Sequence, residues 1–160
     1  MARKKKVQWK PGDLFGVALP DGQYVLGQAL GVMGEFTNVV NCAFFDIRFQ
    51  PSVVSNAPSL ELSKLIAVVS TTRDLLDGGY WPIVAHAPIS INKRDWPNEQ
   101  FARKGYVGAE THGSGIVRNF LSAYYGLFPW NGYKDPEYFD KLLMSPSKKP
   151  PNSALKLNDS

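Results

Sequence analysis

The side chains that could act as a nucleophile or a base are few in this chain. Its 160 residues include one cysteine, Cys42, and two histidines, His86 and His112. Together with Asp46 they supply the residue types of a cysteine nucleophile, its base and an orienting acid. Cys42, however, lies inside an apolar run typical of a strand, where cysteine usually behaves as a small buried hydrophobe. We therefore predict no catalysis by Cys42 and no catalytic residue elsewhere.

Neither a metal site nor a phosphate site is predicted. The closest pair among the cysteine and the two histidines, His86 and His112, lies 26 positions apart, which is unlike the usual spacings of zinc ligands. The glycines of GSGIV at residues 113–117 match neither a dinucleotide fingerprint nor a P-loop. A single cysteine cannot form an internal disulfide, which fits a reducing compartment. The sequence therefore predicts a cytoplasmic protein without a cofactor.

The positive charge of the chain is concentrated at its two ends. The formal net charge is +4, but residues 1–10 carry +5 and residues 145–160 carry +2, which leaves residues 11–144 at −3. A folded domain with a negative net charge repels the phosphates of nucleic acid, so nucleic acid is not the expected partner. The run RKKK at residues 3–6 could bind an anionic surface, or it could serve only to keep the chain soluble. No apolar run approaches the roughly 18 residues of a membrane span, so no membrane partner is expected.

Acidic and aromatic side chains are the candidate contacts with a protein partner. Asp74 and Asp77 are three positions apart on a predicted helical turn, where they could share a site or decorate a solvated face. Several large aromatic residues fall in the less regular second half, where loops could present them to a partner, although a core also consumes most aromatic residues. The predicted partner-binding residues are Asp46, Asp74, Asp77, Trp96, Tyr124 and Trp130.

The elements that must position these side chains are mostly strands. Residues 13–19 and 24–30 alternate with period two and are joined by Pro20-Asp21-Gly22, which favours a turn, so they predict a β-hairpin. Gly16 and Gly27 belong to faces of small residues, which would let another layer approach closely or mark bends in the strands. Further strands are predicted at residues 38–49, 65–70 and 81–87, with shorter pieces at residues 106–109 and 115–118.

Two short helical segments are also predicted. Residues 71–79 are typical of a helical turn with Leu75 and Leu76 facing inward. At residues 135–137, Asp-Pro-Glu is a favourable helix start, which predicts a C-terminal helix through residue 143.

The predicted fold is mainly β (α+β), with one domain built on a curved, barrel-like antiparallel sheet. The domain spans residues 10–144 and includes one short helical turn and the C-terminal helix. Residues 1–9 are predicted to be a basic flexible tail. Residues 145–160 are rich in Pro, Ser and Lys and are predicted to be a disordered tail, since they cannot bury enough surface to order themselves.

The opening hairpin carries a family resemblance. KPGDLFGVALPDGQYVLGQAL at residues 10–30 is similar to the N-terminal signature of the immunity protein 26 family of bacterial polymorphic-toxin systems. Phe45-Asp46-Ile47, LIAVVST at residues 65–71 and GGYWPIVAHAPI at residues 78–89 resemble further segments of that family in the same order. These motifs consist of Gly, Pro and hydrophobic positions, which specify a fold better than an activity.

The resemblance implies an immunity protein that takes part in bacterial competition. Such a protein binds a cognate toxin and neutralises it sterically, without catalysis, and the resemblance assigns no functional residue. An acidic body would suit a basic toxin such as a nuclease, because opposite charges raise the association rate of the two proteins. The acidic protein would also compete with nucleic-acid phosphate for the basic patch of the toxin.

Two other functions stay open. A small nucleic-acid-associated barrel module would bind DNA or RNA in a salt-sensitive way with help from residues 3–6. An enzyme that uses Cys42 or a histidine would require those side chains to converge in a cleft. The sequence predicts no particular oligomeric state.

Overall fold

The fold was obtained as a computed structural model that describes residues 7–50 and 58–150. The basic run at residues 3–6, most of the predicted loop at residues 50–58, and residues 151–160 of the predicted C-terminal tail lie outside the described residues. The described chain forms an antiparallel sheet with a few short helices, which confirms the α+β class.

The sheet has five strands in the order β4-β3-β2-β1-β5, and every neighbouring pair is antiparallel. All five longer predicted strands are found, with bounds that differ by at most three residues. β4 and β5 are the two edges, so the described sheet is open and is not closed into a barrel. The strands are β1 (Asp13–Ala18), β2 (Tyr24–Met33), β3 (Phe36–Phe49), β4 (Leu65–Thr72) and β5 (Ile83–His86).

The predicted turn between β1 and β2 is confirmed, and its residues act as their types suggest. Asp21 accepts the backbone N–H of Gln23 on its side chain at 3.0 Å. Gly22 adopts a φ of 87°, which glycine tolerates without a steric penalty. The N–H of Leu19 donates to the carbonyl of Gln23 at 2.8 Å and closes the hairpin.

Period-two alternation sorts the hairpin side chains onto two buried faces. Phe15, Val17 and Val25 belong to the larger core on one face of the sheet. Leu14 and Leu26 belong to a smaller cluster on the other face. Both predicted faces of the hairpin are therefore buried, since the sheet is covered on its two sides.

The small-residue faces make room for aromatic rings of neighbouring strands. Gly27 lies opposite Phe15 in the β1–β2 register, and a Cβ on Gly27 would come within 2.6 Å of two carbons of the Phe15 ring. A Cβ on Gly16 would come within 2.9 Å of the rings of Tyr24 and Phe49. Aromatic rings of the sheet itself therefore occupy the space above the two glycines, where we expected another layer to approach.

Helices cover the larger core face. α1 (Asp74–Asp77) confirms the predicted helical turn, and α3 (Tyr138–Leu142) confirms the C-terminal helix, although it begins after the predicted cap. Asp135 accepts the N–H of Glu137 on its side chain and forms a turn ahead of the helix. The longest helix in the described part of the chain is α2 (Ser114–Tyr124).

The strands predicted at residues 115–118 and 106–109 are wrong. The first segment lies in α2, because Val117, Phe120 and Leu121 share one helical face and are fully buried against the sheet. The second lies in a run of turns that follows a 3₁₀ helix, Glu99–Lys104.

The larger core is organised around aromatic contacts between the sheet and the helices. Trp81 stacks on Phe15 with ring centroids 5.3 Å apart and meets Phe44 edge to face at 6.1 Å. Phe120 of α2 and Phe139 of α3 lie 5.7 Å apart on the helical side. On the opposite face, residues 87–98 cover the sheet with Ile91 and Trp96 as their apolar contacts.

The described parts of both predicted tails contact the domain. The N–H of Val7 donates to the carbonyl of Asp77 at 2.8 Å, and Trp9 packs against the larger core. At the other end, Lys148 Nζ donates to the carbonyl of Ser63 at 2.6 Å. These residues are therefore attached to the body of the protein.

Candidate partner-binding surface

The cysteine and the two histidines occupy separate places. Cys42 is fully buried in the larger core, and burial raises the pKa of its thiol far above the ordinary value. His86, the last residue of β5, has its Nδ1 2.9 Å from Asp13 Oδ1 of β1. His112 pairs with Tyr138 at the opposite edge of the sheet. A buried, protonated thiol cannot act as a nucleophile, so Cys42 is a core residue.

Among residues 7–50 and 58–150, no group of three or more His, Cys, Asp and Glu side chains is arranged to hold a metal ion. In the same part of the chain, no helix has the length and apolar character needed to cross a membrane.

Asp46 and Tyr124, two of the predicted partner-binding residues, come together at one end of the molecule. The hydroxyl of Tyr125 donates to Asp46 Oδ1 at 2.6 Å, and the rings of Tyr124 and Tyr125 meet edge to face at 5.1 Å. The Arg48 guanidinium lies over the Tyr125 ring at 4.6 Å and also reaches Asp21 Oδ2 at 3.8 Å. We refer to these five residues, Asp21, Asp46, Arg48, Tyr124 and Tyr125, as the tyrosine cluster.

The strand side of the tyrosine cluster is positioned by alternation along β3. Asp46 and Arg48 are two residues apart in the strand, so both point to the face that α2 covers. The core residue Phe44 precedes them on the same face. Asp46 and Arg48 are exposed, whereas Phe44 on the same face is fully buried.

The helix side of the tyrosine cluster is positioned by the way α2 ends. Gly126 adopts a φ of 76°, its N–H donates to the carbonyl of Ala123, and the N–H of Leu127 donates to the carbonyl of Ser122 at 2.8 Å. This pattern is a Schellman motif, which fixes the last turn of a helix. It holds Tyr124 and Tyr125 on the outer rim of the core.

The two tyrosines are hydrogen-bond donors at neutral pH. Burial, assisted by the neighbouring Asp46 carboxylate, raises the pKa of Tyr125 well above its ordinary value, and the same two causes raise the pKa of Tyr124. Tyrosine and arginine are among the residue types that dominate binding energy at protein interfaces, and two half-buried phenol rings lie here beside the exposed Arg48. The surface can therefore offer both aromatic area and fixed polar groups to a partner.

Asp74 and Asp77 are placed in structural networks around α1. Asp74 Oδ1 accepts the hydroxyl protons of Thr72 at 2.7 Å and Ser114 at 2.8 Å. Burial alone would raise the pKa of Asp74, but these hydrogen bonds, together with those from the backbone N–H groups of Asp74 and Leu75, outweigh it and lower the pKa. Asp77 is 7% exposed and accepts the indole N–H of Trp9. The structure thus uses both acids for internal contacts.

The two predicted tryptophans lie apart from the tyrosine cluster. Trp130 is 2% exposed in the larger core, and its indole N–H donates to Asp140 Oδ1 at 3.2 Å, so it is a core residue. Trp96 is half-buried against the second core cluster, where its ring lies over Gly31. Neither ring shares a surface with Asp46.

The sequence reasoning missed Asp21, Arg48 and Tyr125 as members of the site, since Asp21 was identified only as a turn residue. The signal for Arg48 was its period-two spacing from Asp46 at the end of a predicted strand. The signal for Tyr125 was its place beside Tyr124, but this required α2 to be recognised as a helix that ends there.

The chain was compared with protein families, with curated proteins and with solved structures, and it matches no family model, no curated protein and no solved structure. The resemblance to the immunity protein 26 family therefore stays a prediction from the sequence.

Proposed function

We propose that this chain is a cytoplasmic, non-catalytic immunity protein that binds a cognate protein toxin and blocks it sterically. The observation that carries the proposal is the tyrosine cluster, in which Tyr125 is held by Asp46 and covered by Arg48. Side chains that are already fixed in the free protein lose less conformational entropy on binding, so their contacts contribute more to affinity. The motif resemblance at residues 10–30 supports a toxin as the partner class.

The charge of the body supports a basic toxin, such as a nuclease. Residues 11–144 carry −3, and the tyrosine cluster contributes two carboxylates, those of Asp21 and Asp46, against one cation, Arg48. An acidic inhibitor associates faster with a basic protein, and it competes with phosphate for the basic patch of that protein. The register shifts along β2 and β3 further support a strongly curved, barrel-like sheet, because bulges bend strands and increase their twist.

Co-expression tests the proposal. The chain is expressed together with the toxin candidate encoded beside it, and both cell survival and the dissociation constant of the purified complex are measured. We expect protection and a stoichiometric complex. Absence of both protection and a complex would overturn the proposed function.

Truncation of the tyrosine cluster tests the surface. We expect Tyr125→Ala to weaken the complex by a factor of ten or more, since truncation at an interface hot spot costs about 2 kcal/mol or more. Tyr125→Phe keeps the ring and loses only the hydroxyl contact with Asp46, so its effect should be smaller. Val107→Ala is the matched control, because Val107 is 74% exposed and lies outside the tyrosine cluster. Equal affinities for Tyr125→Ala and Val107→Ala would exclude this surface.

A further inference from the structure

Within the described ranges, the outer edge of β4 is hydrogen-bonded at its two ends and open at Val68 between them. The carbonyl of Ile66 accepts the N–H of Met144 at 3.0 Å, and the carbonyl of Ser70 accepts the N–H of His112 at 2.9 Å. Residues 66 and 70 thus face away from β3. Because backbone groups alternate in direction along a strand, the N–H and C=O of Val68 face the same open edge, as does the N–H of Ser70.

An asparagine side chain keeps this part of the edge open. His112 pairs with β4 in parallel, with its carbonyl accepting the N–H of Thr72. One further step of that parallel ladder would bring Glu110 opposite Val69, with its N–H donating to the Val68 carbonyl and its carbonyl accepting the N–H of Ser70. Instead, the Asn98 side chain takes both backbone groups of Glu110, with Nδ2 donating to its carbonyl at 2.6 Å and Oδ1 accepting its N–H at 2.9 Å. The backbone groups of Glu110 are therefore bonded to Asn98, so they do not bond the Val68 carbonyl or the Ser70 N–H.

Open space adjoins the unpaired backbone groups. A pocket of about 140 Å³ is lined by Val68, Ser70 and Asn98. It adjoins an apolar pocket of about 590 Å³ beside Ile91 and a polar pocket of about 490 Å³ beside Glu110. All three pockets have Lys141 and Leu142 in their walls, and the smallest pocket and the apolar pocket are also lined by Val68 of β4. We call these adjoining pockets the β4 groove.

The polar end of this groove favours a cation. Glu110 and Asp135 line it together with a single cation, Lys141, whose Nζ is engaged by Asp135 at 2.5 Å. The Glu110 carboxylate makes no hydrogen bond or ion pair to any other residue in the described ranges, and it is exposed. An arriving lysine or arginine would find this carboxylate unpaired.

We propose that the β4 groove binds an extended peptide segment of another protein, which adds a short strand beside Val68 and places a basic side chain against Glu110. Backbone hydrogen bonds to an exposed sheet edge are a recurring mode of peptide recognition, and pockets for alternate side chains supply the specificity. This site is separate from the tyrosine cluster, so it stands or falls independently of the toxin.

Two synthetic peptides test the proposal on the full chain. Ac-Val-Lys-Val-Lys-Val-NH₂ and its Glu counterpart, Ac-Val-Glu-Val-Glu-Val-NH₂, are titrated into labelled protein while backbone amide resonances and hydrogen exchange are followed by NMR. We expect the basic peptide to shift the amides of Val68 and Ser70 and to slow their exchange. The acidic peptide should bind at least fivefold more weakly.

A charge-neutral variant and a control complete the test. Glu110→Gln should weaken the basic peptide about two- to fivefold, as for a solvent-exposed ion pair. Glu35→Gln, in the turn between β2 and β3, should leave the affinity unchanged. Unmoved Val68 and Ser70 amides, or equal binding of the two peptides, would overturn the proposal. A Val68 amide that is already protected from exchange in the free protein would also overturn it. Protection that rises with protein concentration would mean that a second copy covers the edge. Protection that does not change with concentration would mean that residues of the same chain cover it.

Discussion

The Asp77 carboxylate joins three segments of the chain at one buried point. Its oxygens accept the indole N–H of Trp9 at 3.1 Å and the Nε–H of Arg73 at 2.8 Å. The Arg73 guanidinium lies over the Trp9 ring at 5.0 Å and also donates to the carbonyl of Thr37 at 2.7 Å. One acid thus connects the N-terminal segment, α1 and β3.

Asp77→Ala should lower the free energy of unfolding by about 1–3 kcal/mol, because it leaves the Trp9 and Arg73 donors without their acceptor. Urea unfolding followed by circular dichroism measures this cost. Asp95→Ala is the control: Asp95 is exposed, so its replacement should cost less than about 0.5 kcal/mol. Equal costs for the two variants would show that the Asp77 contacts do not stabilise the fold.

His112 makes stability depend on pH in the mildly acidic range. Burial lowers the pKa of His112 from its ordinary 6.5, and the nearby Glu110 opposes this only in part. The unfolded chain therefore takes up a proton on His112 at a higher pH than the folded chain does. The contribution of His112 to the free energy of unfolding is constant well above pH 6.5 and is lost as the pH falls below it.

Urea unfolding at pH 7.5, 6.5 and 5.5 checks this prediction against His112→Gln, which cannot take up the proton. The wild-type chain should lose more stability than the variant between pH 7.5 and 5.5. Parallel pH profiles for the two proteins would contradict a lowered pKa for His112.

Among the elements, those with local signals could be predicted from the sequence. The hairpin of β1 and β2 combines period-two alternation with the turn at Pro20, Asp21 and Gly22, and all of that information lies within 20 consecutive residues. α1 and α3 were predicted from short local patterns, the inward-facing Leu75 and Leu76 and the Asp-Pro-Glu at residues 135–137, although neither N-cap side chain makes a capping hydrogen bond. Such elements form from neighbours in the chain, so a pattern over one short window is sufficient.

α2 was missed although its stripe is present in the sequence. Val117, Phe120, Leu121 and Tyr124 have helical spacing, but Gly113 and Gly115 weaken the start of the helix, and no residue at its N-cap position supplies a side-chain hydrogen bond. The missing cap comes from elsewhere, since the N–H of Ser114 donates to the Thr72 hydroxyl at 3.0 Å. That contact joins residues 42 positions apart, which no local pattern reveals.

The same reason limits what could be predicted of the tyrosine cluster. Asp46 and Tyr124 were identified separately by residue type, one as an acid and the other as an aromatic residue. Tyr125 and Asp46 are 79 positions apart, and only the packing of α2 on β3 brings them together. The groove along β4 likewise depends on pairing between distant segments.

Two glycine substitutions test the packing of these elements in opposite directions. Gly27→Ala should destabilise the protein by about 1–3 kcal/mol, because the new methyl group would overlap the Phe15 ring. Gly115→Ala should stabilise it by up to about 1 kcal/mol, since the site lies in α2 and a Cβ there meets nothing within 4 Å. Thermal and urea unfolding measure both changes. A neutral Gly27→Ala would contradict the close approach of the two strands.

For the whole molecule, the distribution of charge separates the proposed function from nucleic-acid binding. Residues 7–150 hold thirteen lysines and arginines and thirteen acids, so the net positive charge comes almost entirely from residues 3–6. Any affinity for DNA should therefore depend on those four residues. A plot of the logarithm of the association constant for DNA against the logarithm of the salt concentration should have a slope no steeper than about −4.

Gel shifts at low and moderate salt check this prediction. A variant in which Arg3, Lys4, Lys5 and Lys6 are all serine should show no shift, while it should bind the toxin candidate as the wild type does. If that variant still binds DNA, the alternative function, a small nucleic-acid-associated barrel module, would be favoured instead.

The four tryptophans of the chain have four different surroundings. Trp9 donates to Asp77, Trp81 is stacked on Phe15, Trp96 covers Gly31, and Trp130 donates to Asp140. If three of them are replaced by phenylalanine, the remaining indole emits from one known region only. The protein thus contains its own set of fluorescent reporters, with which the order of opening of the N-terminal segment, the core, the groove side and the C-terminal helices can be followed separately.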